Sequence, residues 1–211
     1  MMKSERKIAG GHISPPAGGE RRCAADRVSR TARRLFYERG IRAVGVEEIV
    51  TEAGVTKPSL YRSFSSKDAL VANCLQARFD RIMAWWDDLE ARLPDDPFGQ
   101  LRTLIAGVAD ETSSSFHRGC AVTNAAVEFP EPDHPARMIA ETYKRAMRAR
   151  LMALVERLPM DQPALLADGL ILLFEGARAA RHTSGRHGPA ASMQAVADTL
   201  LDAFLPANDP R

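Results

Sequence analysis

The chain has 211 residues, of which 45% are apolar and 27% charged, a composition typical of a globular protein with one large or two small domains. No apolar run approaches the ~18 residues of a transmembrane helix, and the N-terminus lacks the apolar core of a secretory signal. The cysteines Cys23, Cys74 and Cys120 are too few and too far apart for a disulfide framework or a structural zinc site, so we expect a reducing cytoplasm.

Charge is unevenly distributed along the sequence. Residues 1–67 contain 14 Lys and Arg against 7 Asp and Glu, whereas the rest of the chain contains 15 against 20. A basic N-terminal part followed by an acidic C-terminal part is typical of a DNA-binding module joined to a second domain. The alternative is a chance asymmetry between two solvated surfaces.

Residues 1–19 mix glycine, proline and charge without a period, and we interpret them as a disordered N-terminal arm. Alternatively, the arm inserts basic side chains into a DNA minor groove. Apolar residues then recur at helical spacing and predict a helix over 20–39. Six arginines cover its other faces and suit either solvent or phosphate contacts: Arg21, Arg22, Arg27, Arg30, Arg33 and Arg34.

The stretch 46–64 has the pattern of a helix-turn-helix. An amphipathic helix over 46–53 leads into Gly54, which can take the left-handed backbone conformation that ends a helix. Val55 can fill the angle between the helices, and the Thr56 hydroxyl can cap the second helix. That helix presents hydroxyl, phenol and basic groups, which bond phosphates and base edges, so we expect it to enter the DNA major groove.

Six further helices complete an all-α prediction of about nine. Ser65, with Asp68 three residues later, indicates a capping box that begins a long helix to about residue 92. Met138 is expected among the inward-facing residues of a later long helix. The other helices are predicted over 97–115, 118–129, 134–158, 163–184 and 189–205.

The last two segments, 163–184 and 189–205, suggest a subunit contact. The first is apolar over most of its circumference through Leu173 and needs partners on more than one face. One solution is a self-complementary two-fold contact, which would also match the symmetry of palindromic DNA half-sites. The other solution is that both helices lie in the core of a single subunit.

Residues 40–70 resemble the N-terminal DNA-binding domain of the TetR (tetracycline-repressor-like) family of bacterial transcriptional regulators. The resemblance covers about residues 22–75, and from 76 onward the chain shows only the general family layout of a helical effector-binding and dimerisation domain. The segment 118–130 also looks like one found in many family members. The residues in family register are Gly40, Val46, Ile49, Ala53-Gly54-Val55, Leu60-Tyr61, Phe64 and Lys67.

The resemblance implies a homodimer that binds a palindromic operator near a promoter and is released when a small molecule enters the C-terminal domain. It divides the chain into a helix-turn-helix domain over 20–66 and a ligand-binding and dimerisation domain over 67–211. The implied DNA contacts are Thr56, Lys57, Ser59, Tyr61, Arg62 and Ser63 on the recognition helix, and Lys67 at the start of the next helix.

Two places depart from the family pattern. Val44 and Gly45 stand where Thr-Ser is common, so a phosphate contact there must come from backbone N–H groups. Ser63 stands where His is common, which alters that contact. The sequence leaves open whether Arg62 contacts a base or a phosphate, while Tyr61 can pack its ring on the domain and bond a phosphate through its hydroxyl.

We expect the effector pocket where large apolar residues coincide with isolated polar ones on the middle helices. Core packing is the alternative for the aromatic residues and Met83. Glu128 could anchor a cationic ligand or pair with Arg178 or Arg181, and Cys120 could sense oxidants or be a small buried side chain. The candidates are Met83, Trp86, Phe116, Cys120, Asn124, Glu128, Phe174 and Arg178, with His182 on the helix face of Arg178.

An enzyme and an architectural DNA-binding protein are the two alternative functional classes. No nucleophile elbow, P-loop, zinc-protease or dinucleotide-binding motif occurs, so we expect neither an enzyme nor a cofactor. The acids at 110–111 and over 128–134, with His134, lack convincing metal-ligand spacing. An architectural DNA-binding protein without a ligand stays open, and its footprint would be broad rather than one short palindrome.

Overall fold

The computed structural model describes residues 17–114 and 118–206, which form nine α-helices and a short 3₁₀ helix, without strands. The all-α prediction of about nine helices is confirmed. The helices are α1 (Ala17–Arg39), α2 (Val46–Ala53), α3 (Lys57–Ser63), α4 (Lys67–Arg92), α5 (Pro97–Ser113), α6 (Ala121–Glu128), α7 (Pro135–Val155), α8 (Pro163–Ser184) and α9 (Met193–Ala203), with the 3₁₀ helix at Pro189–Ser192.

Most of the predicted N-terminal arm, residues 1–16, lies outside the described residues. The helix predicted from residue 20 begins at Ala17, so residues 17–19 belong to α1 and not to the arm. Once a helix is nucleated, each added residue gains a backbone hydrogen bond, which lets it extend through the unfavourable pair Gly18-Gly19.

The helix-turn-helix forms as predicted at Gly54, which has φ 61° and ψ 42° and ends α2 through its N–H bond to Thr51 O. Val55 packs partly buried against the core, as expected. The predicted Thr56 hydroxyl cap is wrong, because Thr56 takes the N-cap position without a side-chain cap bond. Pro58 lacks the N–H that such a cap would use, and the next N–H, of Ser59, bonds the Thr56 carbonyl at 2.9 Å.

Helix α4 begins one residue later than the predicted capping box requires. Its N-cap is Ser66 rather than Ser65, and the Ser66 hydroxyl accepts the Ala69 N–H at 3.0 Å. Asp68 therefore lies at the second helical position, where its charge still complements the helix dipole. With 26 residues, α4 extends over roughly 39 Å.

Two hydrophobic cores lie along α4. The first joins α1, α2 and α3 to the N-terminal half of α4, to α6 and to the first half of α7. The second joins the other half of α4 to α5, the end of α7, α8 and α9. Ile82 and Met147 contact both cores. The predicted domain boundary at 66/67 therefore does not separate the cores, because α6 packs with the helix-turn-helix.

Two details of the later helices differ from expectation. Met138, expected inside, is 55% exposed on α7, because it lies on the opposite face from the buried Ala136, Ala140 and Tyr143. Helix α7 ends at Val155 rather than near 158. Among the described residues, no helix combines the length and apolar character that crossing a membrane would require.

The left-handed conformation of Gly54 gives a test of the turn. We expect Gly54→Ala to lower the free energy of unfolding by about 1–2 kcal/mol, because a Cβ is strained in this conformation even with no atom within 4 Å. Gly107→Ala is the matched control: Gly107 lies inside α5, also with open space around it, and alanine there should stabilise by about 0.5–1 kcal/mol. Urea unfolding measures both, and a stabilising Gly54→Ala would contradict the turn.

Candidate nucleic-acid interface and ligand cavities

Helix α3 separates buried apolar residues from an exposed polar face. Leu60 is fully buried and Phe64 packs partly buried on the core, so both are structural residues. Tyr61 is 45% exposed, so its side chain is accessible from solvent. Of the other predicted DNA contacts, four are exposed and two are half-buried. The exposed ones are Thr56, Lys57, Arg62 and Ser63, and the half-buried ones are Ser59 and Lys67.

The cations of this face differ in their partners. Lys57 forms an ion pair with Glu47 of α2, and this hydrogen bond raises the pKa of Lys57. Arg62 has no hydrogen-bond or ion-pair partner among the described residues and is free to meet an anion. Burial lowers the pKa of Lys67, an effect that the charges of Asp68 and Glu128 partly offset.

Glu128, the last residue of α6, holds the turn between α1 and α2. Its carboxylate accepts the backbone N–H of Ile41 at 2.9 Å and of Arg42 at 2.7 Å. In return, the Arg42 side chain donates from Nε to the Glu128 carbonyl at 2.7 Å, which satisfies one of the free carbonyls at the end of α6. Pairing with Arg178 or Arg181, one of the two alternatives for Glu128, does not occur, because backbone N–H groups about 86 residues earlier in the chain occupy the carboxylate.

The residues before α6 reinforce this junction. The Tyr37 hydroxyl donates to the Gly119 carbonyl at 3.2 Å and accepts the Arg118 N–H at 2.9 Å. The Arg118 guanidinium bonds the Glu38 carbonyl. The residues just before α6 are therefore hydrogen-bonded to the end of α1.

A cavity of about 550 Å³ lies among α4, α5, α7 and α8, and we call it the α7–α8 cavity. Three predicted ligand residues, Trp86, Phe174 and Arg178, line it. Trp86 is fully buried, yet its indole N–H has no hydrogen-bond partner among the described residues. An unpaired buried donor is costly, so a ligand oxygen would gain by accepting from it.

Most of the charged groups that line this cavity form ion pairs. Lys144 bonds Glu175 at 2.7 Å, and Arg178 bonds Glu111 at 2.9 Å and Glu175 at 3.3 Å. Burial alone would lower the pKa of Arg178, but the negative charge of Glu111 outweighs it and the pKa is raised. The rest of the cavity lining is mainly apolar and includes Trp86 and Phe174.

Cys120 lies beside this network. It is buried, and its Sγ is 3.8 Å from Lys144 Nζ. Burial would raise the pKa of the Cys120 thiol, but the positive charges of Lys144 and Arg178 outweigh it and the pKa is lowered. In Cys74, by contrast, burial outweighs the positive charge of Arg33, and the pKa is raised to about 12.

The remaining predicted ligand residues lie elsewhere. Asn124 and Glu128 line a second cavity of about 450 Å³ among α1, α4 and α6, and we call it the arginine cleft. Met83 packs partly buried on the second core, in agreement with the core-packing alternative. Phe116 lies outside the described residues, and His182 is exposed near the end of α8.

Both the sequence of the helix-turn-helix and the fold of the chain are similar to those of known proteins. The family model described as bacterial regulatory proteins, tetR family, matches residues 29–74. A TetR-family transcriptional regulator from Streptomyces coelicolor, SCO4454, superposes with a TM-score of 0.78 at 28% identity, covering 88% of this chain and 97% of that one. The chain belongs to the TetR family of transcriptional regulators.

Curated relatives agree with this assignment. The transcriptional activator FasR of Mycolicibacterium smegmatis is 41% identical over 78 residues, 33% of this chain and only 35% of that protein. The transcriptional repressor BdcR of Escherichia coli is 27% identical over 165 residues, 75% of this chain and 79% of that one. All are transcriptional regulators, so this TetR-family member is not an enzyme, as predicted.

The Glu128 junction can be tested by stability. We expect Glu128→Ala to lower the free energy of unfolding by about 1–3 kcal/mol, because it leaves the Ile41 and Arg42 N–H groups without their acceptor. Glu131→Ala is the control: Glu131 pairs with Arg42 only at 3.8 Å on the surface, and its loss should cost less than about 0.5 kcal/mol. Equal effects in chemical unfolding would show that the Glu128 bonds add nothing.

The Lys57–Glu47 pair predicts an effect on DNA affinity. Glu47→Gln should tighten binding to any DNA duplex several-fold, because it frees Lys57 and removes a negative charge from the DNA-facing surface. Glu48→Gln makes the same charge change next to it, but Glu48 pairs with Arg39 instead. Fluorescence anisotropy at fixed salt compares the two, and an equal or larger gain in Glu48→Gln would contradict this role of Lys57.

The two described thiols should differ in their pH profiles. Cys120 should begin to react with a small alkylating reagent at lower pH than Cys74, because its thiolate is favoured. Lys144→Met should move the Cys120 profile to higher pH, whereas Arg145→Met on the next residue should move it less. Site-resolved mass spectrometry of the folded protein measures these rates, and coincident profiles would refute the prediction.

Proposed function

We propose that this TetR-family protein is a repressor that binds a palindromic operator as a homodimer and leaves it when a small molecule binds the α7–α8 cavity. The observation that carries the proposal is that one helix, α4, begins beside the exposed face of α3 and contributes Trp86 to the cavity wall. A single rigid element thus joins the DNA-reading surface to the ligand site.

The DNA contacts in this proposal come from the polar face of α3 and from Lys67. On α3, Arg62 has no competing partner in the described structure, whereas Lys57 must leave Glu47 to bind a phosphate. At Gly45, the N-cap of α2 has no side-chain bond, so backbone N–H groups of the first turn are available to a phosphate.

The homodimer is proposed to form through α8 and α9. On α8, Leu165 is 55% and Leu172 74% exposed, and they lie on one face because seven residues make two turns. Gly176 continues that face with open space above its Cα, and Val196 on α9 is 49% exposed. An apolar face with a small residue allows two copies to approach closely around a two-fold axis.

Release would follow from a shift of α4. Two recognition helices must match major grooves about one helical turn, ~34–36 Å, or a multiple of it apart. A ligand that moves α4 against α7 changes this spacing and weakens DNA binding. Shifting the ratio of the DNA-releasing to the DNA-binding conformation from 1:99 to 99:1 requires the ligand to prefer the releasing conformation by about 5.5 kcal/mol.

A footprint tests the proposal as a whole. The proposed repressor protects one short palindrome upstream of a promoter, and addition of a cognate small molecule removes the protection. Broad coverage without a defined site would favour the architectural alternative. A ligand that binds the protein and leaves operator affinity unchanged would refute the release mechanism.

Substitution of Arg62 tests whether α3 contacts base edges. We expect Arg62→Ala to weaken operator binding roughly tenfold or more, and to weaken random-duplex binding much less, because a bidentate contact to guanine discriminates by about 1–3 kcal/mol. Arg92→Ala, at the far end of α4, should change neither affinity. Equal losses on operator and random DNA would make Arg62 a phosphate contact only.

A further inference from the structure

We propose that the arginine cleft among α1, α4 and α6 is a second binding site, for a small molecule that carries at least two adjacent oxyanions, such as a diphosphate ester. This site is separate from the α7–α8 cavity and does not depend on how that cavity is used. The cleft lies where the DNA-binding helices meet α6.

Positive charge in the cleft exceeds what its own acids compensate. Five arginines but only two carboxylates line it. Glu38 is already bonded to Arg34, and Glu128 is occupied by the N–H groups of residues 41 and 42. Within the described residues, three of the arginines have neither an ion pair nor a hydrogen bond: Arg30, Arg33 and Arg81.

The cleft also holds an unsatisfied buried donor. Arg78 Nε is buried without a hydrogen-bond partner in the described structure, and the guanidinium reaches its nearest acid, Glu111, only at 4.0 Å. Such a donor is costly to leave unpaired. Burial, and then the positive charges of Arg78 and Arg33, lower the pKa of Arg81.

The shape and lining of the cleft define the chemistry of its ligand. Its volume of about 450 Å³ lies in the range of small-molecule sites. Planar guanidinium groups bind the paired oxygens of phosphates bidentately. Phe36, Ile41, Val71 and Leu75 add an apolar wall, which suits an organic group attached to the phosphates.

The position of the cleft argues against DNA as the occupant. The DNA-facing end of α4 is at Lys67, and Arg81 lies 14 residues further, roughly 21 Å along the helix. This separation favours a small anion over a duplex seated on α3 as the occupant of the cleft. A small anion can enter the cleft and contact α1, α4 and α6 at once.

The test is calorimetric titration of the full-length protein with inorganic pyrophosphate at constant ionic strength. We expect saturable binding of one pyrophosphate per chain. Arg33→Gln with Arg81→Gln should weaken it at least tenfold, and Arg33→Lys with Arg81→Lys should weaken it less, because charge is kept without the bidentate fork. The control, Arg92→Gln with Arg102→Gln, makes the same charge change on the exposed surface. Its affinity for pyrophosphate should stay within twofold of that of the wild type.

The ligand-free protein supplies a second readout. Arg33→Gln with Arg81→Gln should keep or raise the melting temperature, since it relieves repulsion between like charges. Pyrophosphate should raise the melting temperature of the wild type and the control but not of this variant. Absence of saturable binding to the wild type, or equal affinity in the variant and the control, would overturn the proposal. A loss of duplex affinity in the variant without any pyrophosphate binding would instead assign the arginines to DNA.

Discussion

The carboxylate of Glu128 connects the two halves of this regulator. It ends α6 and accepts the N–H groups of Ile41 and Arg42, which lie directly after α1. Arg42 returns a bond to the Glu128 carbonyl and stacks its guanidinium 5.2 Å from the Phe129 ring centroid. Because α2 and α3 follow this turn, the orientation of the helix-turn-helix depends on where α6 holds it.

This junction changes how a signal can reach the DNA. If α4 were the sole connection, the helix-turn-helix could pivot freely about its start. Instead, α6 shares a hydrophobic core with α1, α2 and α3, and the contacts at Tyr37 tie its first residues to α1. The DNA-reading face is therefore held by α4 and α6 together. The arginine cleft borders both of these helices, whereas the α7–α8 cavity borders α4.

Much of the architecture could be predicted from local pattern. Helix periodicity, Gly54 and the buried Leu60 depend on near neighbours in the chain, so the helix-turn-helix and the number of helices were predictable. The two wrong helix-cap predictions also have local causes. Pro58 removes the N–H that a Thr56 cap would use. The adjacent serines 65 and 66 are two equivalent candidates for the N-cap of α4, and the structure uses the second.

The partners of Glu128 and the arginine cleft depend on long-range packing, which no pattern in the sequence encodes. Glu128 was expected among ligand residues because an acid in an apolar segment needs a partner, but its partners are backbone N–H groups 86 and 87 residues away. The arginines of α1 suggested phosphate contacts, and only the fold brings Arg33 close to Arg78 and Arg81 of α4.

Native-state hydrogen exchange of the Ile41 and Arg42 amides, resolved by NMR, tests whether α6 holds the turn after α1. We expect both amides to be as strongly protected as helical amides of the first core, and Glu128→Gln to reduce their protection more than it reduces that of α3. If both amides exchanged as fast as those of an open surface turn such as Asp95, the Glu128 bonds would not hold this junction in solution.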